Sequence, residues 1–239
     1  MPLLFSPVDQ TELRGPYTPR PRSAFLMLQL GGTISAAEVD MARIARNFLR
    51  ARRVNPVTAL DVPGTGDYLK KIVDLIRGCG FAVAIYSDAT PARSLANIFF
   101  EIGVALLIGK PVQLLVAGRA PTPSDFVRTE WISYDPARPA EFSTQLKGSL
   151  VRIIEGAEYY YTLGSIALSA EKPDLEEAFE RLKQAILISN DRRARADLRT
   201  LRERLRTRSP RRNSRSDDLA SHRARLLQAV DEFLELLPA

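Results

Sequence analysis

A single cysteine, Cys79, and a single histidine, His222, stand among the 239 residues. One thiol permits no internal disulfide and no cysteine-based zinc cluster. One imidazole, lodged in an arginine-rich stretch, argues against a histidine metal site and against a Ser-His triad. No apolar run approaches the roughly 20 residues that a membrane-spanning helix needs. The opening MPLLFSPVDQTELRGPY lacks a basic start followed by an apolar segment, so no signal peptide is expected. A reducing cytoplasm is the expected compartment.

What is present is enough apolar residue, 45% of the chain, for one full core plus an appendage or for two small domains. Charge is distributed unevenly. Residues 191–225 carry 13 Arg against 5 acidic residues, a net +8 in a chain of net +6, which leaves the remainder at −2. Such a segment is either a solvated helical face or a surface for an acidic partner, nucleic acid included. It contains no Phe, Tyr or Trp, so no base-stacking motif supports nucleic-acid binding.

Five prolines between Pro2 and Pro21 make residues 1–22 an expected extended arm. After it, short apolar runs alternate with helical periodicity. AFLMLQL (24–30), VTALDV (57–62), FAVAIYSD (81–88), VQLLVAG (112–118) and WISY (131–134) have strand length. Between them, Met41, Ile44, Ala45 and Phe48 follow a candidate N-cap, Ser35. Leu69, Ile72, Val73 and Ile76 line a second helix, a third covers 94–109, and a short helical segment begins near Ser124. Strand–helix alternation over short loops predicts a parallel sheet with right-handed crossovers. Five strands over residues 23–137 predict a flavodoxin-like α/β domain of order 2-1-3-4-5. Its crevice opens at the carboxyl ends of strands one and three. Residues 138–239 show only helical periodicity: Leu146, Leu150, Ile153 and Ile154, then Leu175, Phe179, Leu182 and Ile186, then Leu198, Leu201 and Leu205, and last Leu226, Val230, Phe233 and Leu237. Three or four helices are expected there, the basic one pairing with the acidic last one. They are also expected to hold an assembly of copies together, so that a cut near Asn190 would leave a folded α/β domain.

SLANIFFEIGVALLIGKPVQLLV (94–116) contains one residue out of keeping with the rest, Glu101. Ser94, Asn97 and Glu101 share one face of a helix that is otherwise apolar. An ionised carboxylate stranded in a core costs several kcal/mol, so Glu101 is either paired or faces a wet cleft. Ala105, one turn on, is expected to leave space beside it. Around the same crevice, Ser87 and Asp88 end strand three, and Gly31, Gly32 and Thr33 follow strand one; Gly-Gly permits close backbone approach to a phosphate.

The run Asn97-Ile98-Phe99-Phe100-Glu101-Ile102-Gly103, closed by Gly109-Lys110-Pro111-Val112, resembles the corresponding segment of bacterial TIR-like domains. Asp61-Val62-Pro63-Gly64 and the helix and strand after it are similar to the second segment of that family. The resemblance covers residues 23–137. It implies that Glu101 cleaves the nicotinamide–ribose bond of NAD, in bacterial defence and with an ADP-ribose-type product. It makes NAD the substrate, with no resident cofactor or metal. Asn97, Ser94, Ser87, Asp88, Gly31, Gly32 and Thr33 are the expected substrate-binding set. Nucleoside 2-deoxyribosyltransferases also carry a Glu followed by Gly-Lys-Pro, but here Leu95-Ala96-Asn97 stands where that pattern has Gly-Thr. A catalytically silent nucleotide-sensing or scaffold domain is the alternative from a different class. Expected partners are further copies of the chain or another protein through the C-terminal helices, and no membrane.

Overall fold

A computed structural model describes residues 17–61, 68–121, 131–207 and 216–238. Most of the expected arm, the segment from about Ser124 and the Val62-Pro63-Gly64 part of the second TIR-like segment lie outside the described residues. Strands β1 (Ser23–Met27), β2 (Asn55–Val57), β3 (Phe81–Ser87), β4 (Val112–Ala117) and β5 (Trp131–Tyr134) form one sheet of order β2-β1-β3-β4-β5. Every neighbouring pair is parallel, with Phe25 opposite Ala82 and Val57, and Leu115 opposite Ile85 and Ile132. The fold is flavodoxin-like.

Helices α1 (Ala36–Ala51), α2 (Tyr68–Gly78), α3 (Ala92–Leu107) and α4 (Pro139–Glu155) cover both faces of the sheet. Alternate strand residues separate the two cores. Leu26, Val83, Ile85 and Leu115 pack with Met41, Ala45, Leu146 and Leu150 of α1 and α4. Phe25, Met27, Ala84, Tyr86 and Leu114 pack with Ile72, Ile76, Ile98 and Ile102 of α2 and α3. Burial on both faces is why β1 and β3 read as unbroken apolar runs. Strand β2 occupies 55–57, earlier than the expected 57–62. The cause is a side-chain clasp: Asp61 accepts from the Thr58 backbone N–H (2.7 Å) and hydroxyl (2.8 Å), which turns the chain out of the sheet.

The region after residue 138 is not one unit. Helix α4 belongs to the α/β layer, where its Ser149 hydroxyl meets the Gln113 side chain of β4. Four further helices, α5 (Ala157–Ser169), α6 (Leu175–Ser189), α7 (Arg192–Thr207) and α8 (Ser216–Leu236), build a separate apolar cluster around Leu182, Ile186, Leu198, Leu201, Val230 and Phe233. From Pro139 onward there are thus five helices among the described residues rather than three or four. Gly164 lets α5 approach α6 closely, since a Cβ there would lie 2.8 Å from Leu182. The basic α7 does pair with the acidic α8, within one chain: Arg206 lies 3.1 Å from Asp231. The helical layer docks at the amino-terminal ends of the central strands. The Arg22 N–H donates to the Leu187 carbonyl (2.8 Å), and a Cβ on Gly80 would stand 2.6 Å from that same carbonyl oxygen. Gly80 is therefore demanded by close packing of two layers, beyond ending α2.

No described helix is long and apolar enough to cross a membrane.

Candidate functional site

The carboxyl ends of β1 and β3 are neighbours from which the chain departs to opposite faces, α1 on one and α3 on the other. Helix α3 starts at Ala92, two residues earlier than its periodicity suggests, so Glu101 is its tenth residue, in the third turn rather than the first two. Leu95, Ile98, Ile102 and Ala105 face the core. Glu101 sits at the edge of that stripe, half-buried, with Ser94 half-buried and Asn97 exposed along the same flank. Ala105 is fully buried and opens no space.

Glu101 has no hydrogen-bond or ion-pair partner among the described residues, Arg93 included. Burial without a compensating charge pushes its carboxyl up to about 7. The phenol of Tyr68, the first residue of α2, is close enough that the Glu101 charge contributes to raising it, after desolvation. Tyr68 is largely exposed, with the Lys71 ammonium over its ring at 6.0 Å. Under the helix, Tyr86 and Phe99 meet edge to face at 5.4 Å and seat this turn of α3 on β3.

The other expected ligand groups divide. Gly31, Gly32 and Thr33 form an exposed loop after β1, with Gly32 at a φ of 74° and the Gln29 amide donating to the Gly31 and Thr33 carbonyls. Ser87 is not brought to Glu101. It is buried, and its hydroxyl stands 3.3 Å from that of Ser35 before α1, on the opposite face of the sheet. Asp88 is engaged elsewhere as well, accepting from the Arg119 N–H (3.1 Å) and bracing the loop after β4.

A second carboxylate, Glu38, lies in this region without standing out in the sequence as a site residue. It is 4% exposed, accepts from the Ser35 backbone N–H and hydroxyl (both 3.0 Å), and takes the Thr90 hydroxyl with its other oxygen. The Thr90 hydroxyl in turn accepts from the Ser87 N–H (2.8 Å). This network ties the start of α1 to the end of β3. The signal that could have found it is Ser35-Ala36-Ala37-Glu38, the S-x-x-E pattern of a capping box. Glu38 is thus a fully bonded structural carboxylate, whereas Glu101 has no protein partner among the described residues.

Among the described residues no group of His, Cys, Asp or Glu side chains could hold a metal ion. A groove of about 460 Å³ lies at the far end of α3, bordered by Ile108, Gly109, Tyr160 and the acidic start of α6. Its carboxylates are already engaged, Glu177 with Arg181, Glu180 with Lys183, Glu176 beside His222, and Asp174 capping α6 through the Glu177 N–H. It offers no reacting group to match Glu101.

No family model, curated protein or solved structure matches this chain.

Proposed function

We propose that the chain is a TIR-like NAD glycohydrolase in which Glu101 is the catalytic carboxylate. The observation that carries this reading is Glu101 itself, half-buried on α3 with no hydrogen-bond or ion-pair partner among the described residues. A structural carboxylate in such a place is expected to be bonded as Glu38 is. The resemblance of residues 97–103 and 109–112 to the TIR-like segment supports the same assignment.

The chemistry needs little more than one such group. The C1′–N bond of NAD breaks with its electron pair passing to the pyridinium nitrogen, so the base leaves as neutral nicotinamide without protonation by an acid, and water then adds at C1′ and releases its proton to solvent. Positive charge develops on the ribose in an oxocarbenium-like transition state. An ionised carboxylate held near that sugar, in a partly desolvated cleft, stabilises this charge more than water does. In this scheme the same carboxylate accepts from a ribose hydroxyl or attacks C1′, as glycosidase carboxylates do. Asn97 and Ser94 flank it with donors, Tyr68 offers a ring face for the base, and the Gly31–Thr33 loop offers open backbone toward a phosphate. NAD is substrate in this scheme, and bacterial defence is the setting the resemblance implies.

Purified full-length protein incubated with NAD, and separately with deoxyinosine plus adenine, tests it by mass spectrometry of the products. Nicotinamide release that Glu101→Gln lowers by about 100-fold or more is expected, the size of effect seen when a preorganised electrostatic group is lost. Base exchange on the deoxynucleoside with NAD untouched would move the assignment to nucleoside deoxyribosyl transfer. Undiminished release by Glu101→Gln would remove Glu101 from the chemistry.

A further inference from the structure

The carboxylate of Glu101 is held by no bond from the described residues, so its position follows the seating of α3. The N-cap of that helix, Pro91, has no side-chain cap, and directional hold at this end comes from Thr90 just before it, bonded within the α/β layer to Glu38 and to the Ser87 N–H. The middle rests on apolar packing by Leu95, Ile98 and Ile102, which is non-directional. Side-chain bonds from the helical layer gather at the far end. There the Lys110 N–H donates to the Ala105 carbonyl (2.9 Å) and the Gly109 N–H to the Leu106 carbonyl (3.0 Å). The Lys110 ammonium, only 7% exposed, donates to the Cys79 carbonyl (2.8 Å) after α2 and to Gln184 Oε1 (3.0 Å) on α6. The same Gln184 amide donates through Nε2 to the Gly80 carbonyl (2.6 Å) at the start of β3. One side-chain amide from the helical layer therefore joins the end of α3 to the turn between α2 and β3.

We propose that Lys110 and Gln184 are positioning residues for Glu101, a clamp through which the helical layer sets the seating of α3. The consequence for turnover rests on the glycohydrolase reading; the seating itself does not. The clamp is energetically expensive. Burial lowers the Lys110 amine to about 7, and nearby Lys183 on α6 adds to the effect, with Arg77 on α2 acting in the same direction. The Cys79 thiol and Glu180 act the other way, but neither accepts a hydrogen bond from Lys110; its bonded acceptors are a carbonyl and an amide oxygen. An apolar side chain of similar volume satisfies burial at lower cost. What it cannot supply is direction. Six residues separate Glu101 from the last residue of α3, about 9 Å at the helical rise. A tilt of about 6° at the clamp moves the carboxylate by about 1 Å, a displacement able to cost on the order of 100-fold in rate.

The decisive variant is Gln184→Met in the full chain, which changes no charge. Any change at Glu101 then arrives through the seating of α3. Selective ¹³C labelling of glutamate, with the Glu101 carboxyl identified by its absence in Glu101→Gln, follows its titration without reference to activity. Wild type is expected to titrate near 7. Gln184→Met and Lys110→Met are each expected to move that midpoint by at least about half a pH unit, and the double variant by less than the sum, as for residues acting through one contact. Under the glycohydrolase reading, kcat falls about 10- to 100-fold with KM nearly unchanged. If Lys110→Met does not fold, Gln184→Met alone decides, because it leaves the ammonium bonded to the Cys79 carbonyl. An unmoved Glu101 midpoint in folded Gln184→Met overturns the clamp, even where Glu101→Gln shows the glycohydrolase assignment to be right. A shifted midpoint in a chain without glycohydrolase activity upholds the clamp and sinks the activity instead.

Discussion

Glu101 stays protonated over a range in which a carboxylate in an unfolded chain is already charged. With a native value of about 7 against roughly 4.3 unfolded, the native state holds one more proton than the unfolded state between those limits. Stability contributed by this group is therefore full below about pH 4 and is lost as pH rises toward 7. The loss is on the order of 4 kcal/mol, at about 1.36 kcal/mol for each pH unit between the native and unfolded values. Glu101→Gln removes the titration. The variant is expected to match wild type in urea unfolding at pH 4.5 and to exceed it at pH 8, with the difference opening between the two. A variant no more stable at pH 8 than wild type would show that the carboxylate has a partner. Catalysis asks the opposite of the same proton. Under the proposed glycohydrolase reading the ionised form stabilises a developing cation, so kcat/KM for nicotinamide release is expected to rise through about pH 7 and level off above it. A rate already flat from pH 5 would mean that the free carboxylate is charged throughout, against the burial described. On that reading, stability and turnover are opposed at this residue.

At the scale of single elements, the capping box of α1 does more than start a helix. Glu38 takes donors from Ser35 and, across to the end of β3, from Thr90. Glu38→Ala strands these donors in a buried place and is expected to cost about 2–3 kcal/mol, as a lower urea midpoint at unchanged slope. Glu38→Gln, keeping an acceptor on one side, should lose less. A loss under about 0.5 kcal/mol for Glu38→Ala would mean that water replaces the network. The elements also show where sequence is informative. The 3.6-residue stripes of α1, α2, α3, α6 and α7 are legible, because each helix buries one face against a layer. The stripe of α4 is equally legible, yet a stripe says that a face is buried and not against what. Leu146 and Leu150 pack on the sheet rather than on α5–α8. Strand β2 is displaced from its expected place because Val57 to Val62 has strand composition while Asp61 captures Thr58. Glu101 stands out as the lone acid in an apolar run. Ser87 does not sort correctly from sequence, since its side depends on strand parity: Ser87 follows Ile85 to the α1 face, while Tyr86 faces α3.

For the whole molecule, the question is whether the helical layer is an attachment or part of one cooperative body. The apolar face of α6 has two neighbours. Leu182 and Ile186 lie within the cluster completed by Leu198, Leu201, Val230 and Phe233 of α7 and α8. Through Gln184 and Leu187 the same helix meets the sheet layer. A cut at Asn190, expected from sequence alone to release an intact α/β domain, strips the cover from α6 and leaves its contact with the sheet in place. Exposing side chains of this kind costs about 1.5–3 kcal/mol each, so loss of α7 and α8 is felt beyond their own unfolding. The charged pairs between the two helices do not carry this coupling. Arg206–Asp231 is partly exposed, with side-chain accessibilities of 48% and 28%, and such pairs contribute about 0.2–1 kcal/mol. The two contributions separate experimentally. In full-length protein, raising salt to about 1 M, where screening acts over roughly 3 Å, is expected to shift the urea midpoint only slightly. A chain ending at Asn190 is expected to bind a hydrophobic dye and to unfold earlier, with the amides of α3 and of the β3 start losing hydrogen-exchange protection along with those of α6. If instead the shortened chain keeps the full-length midpoint and its α3 amides exchange as before, the helical layer is an independent appendage and its effect on the sheet ends at Asn190.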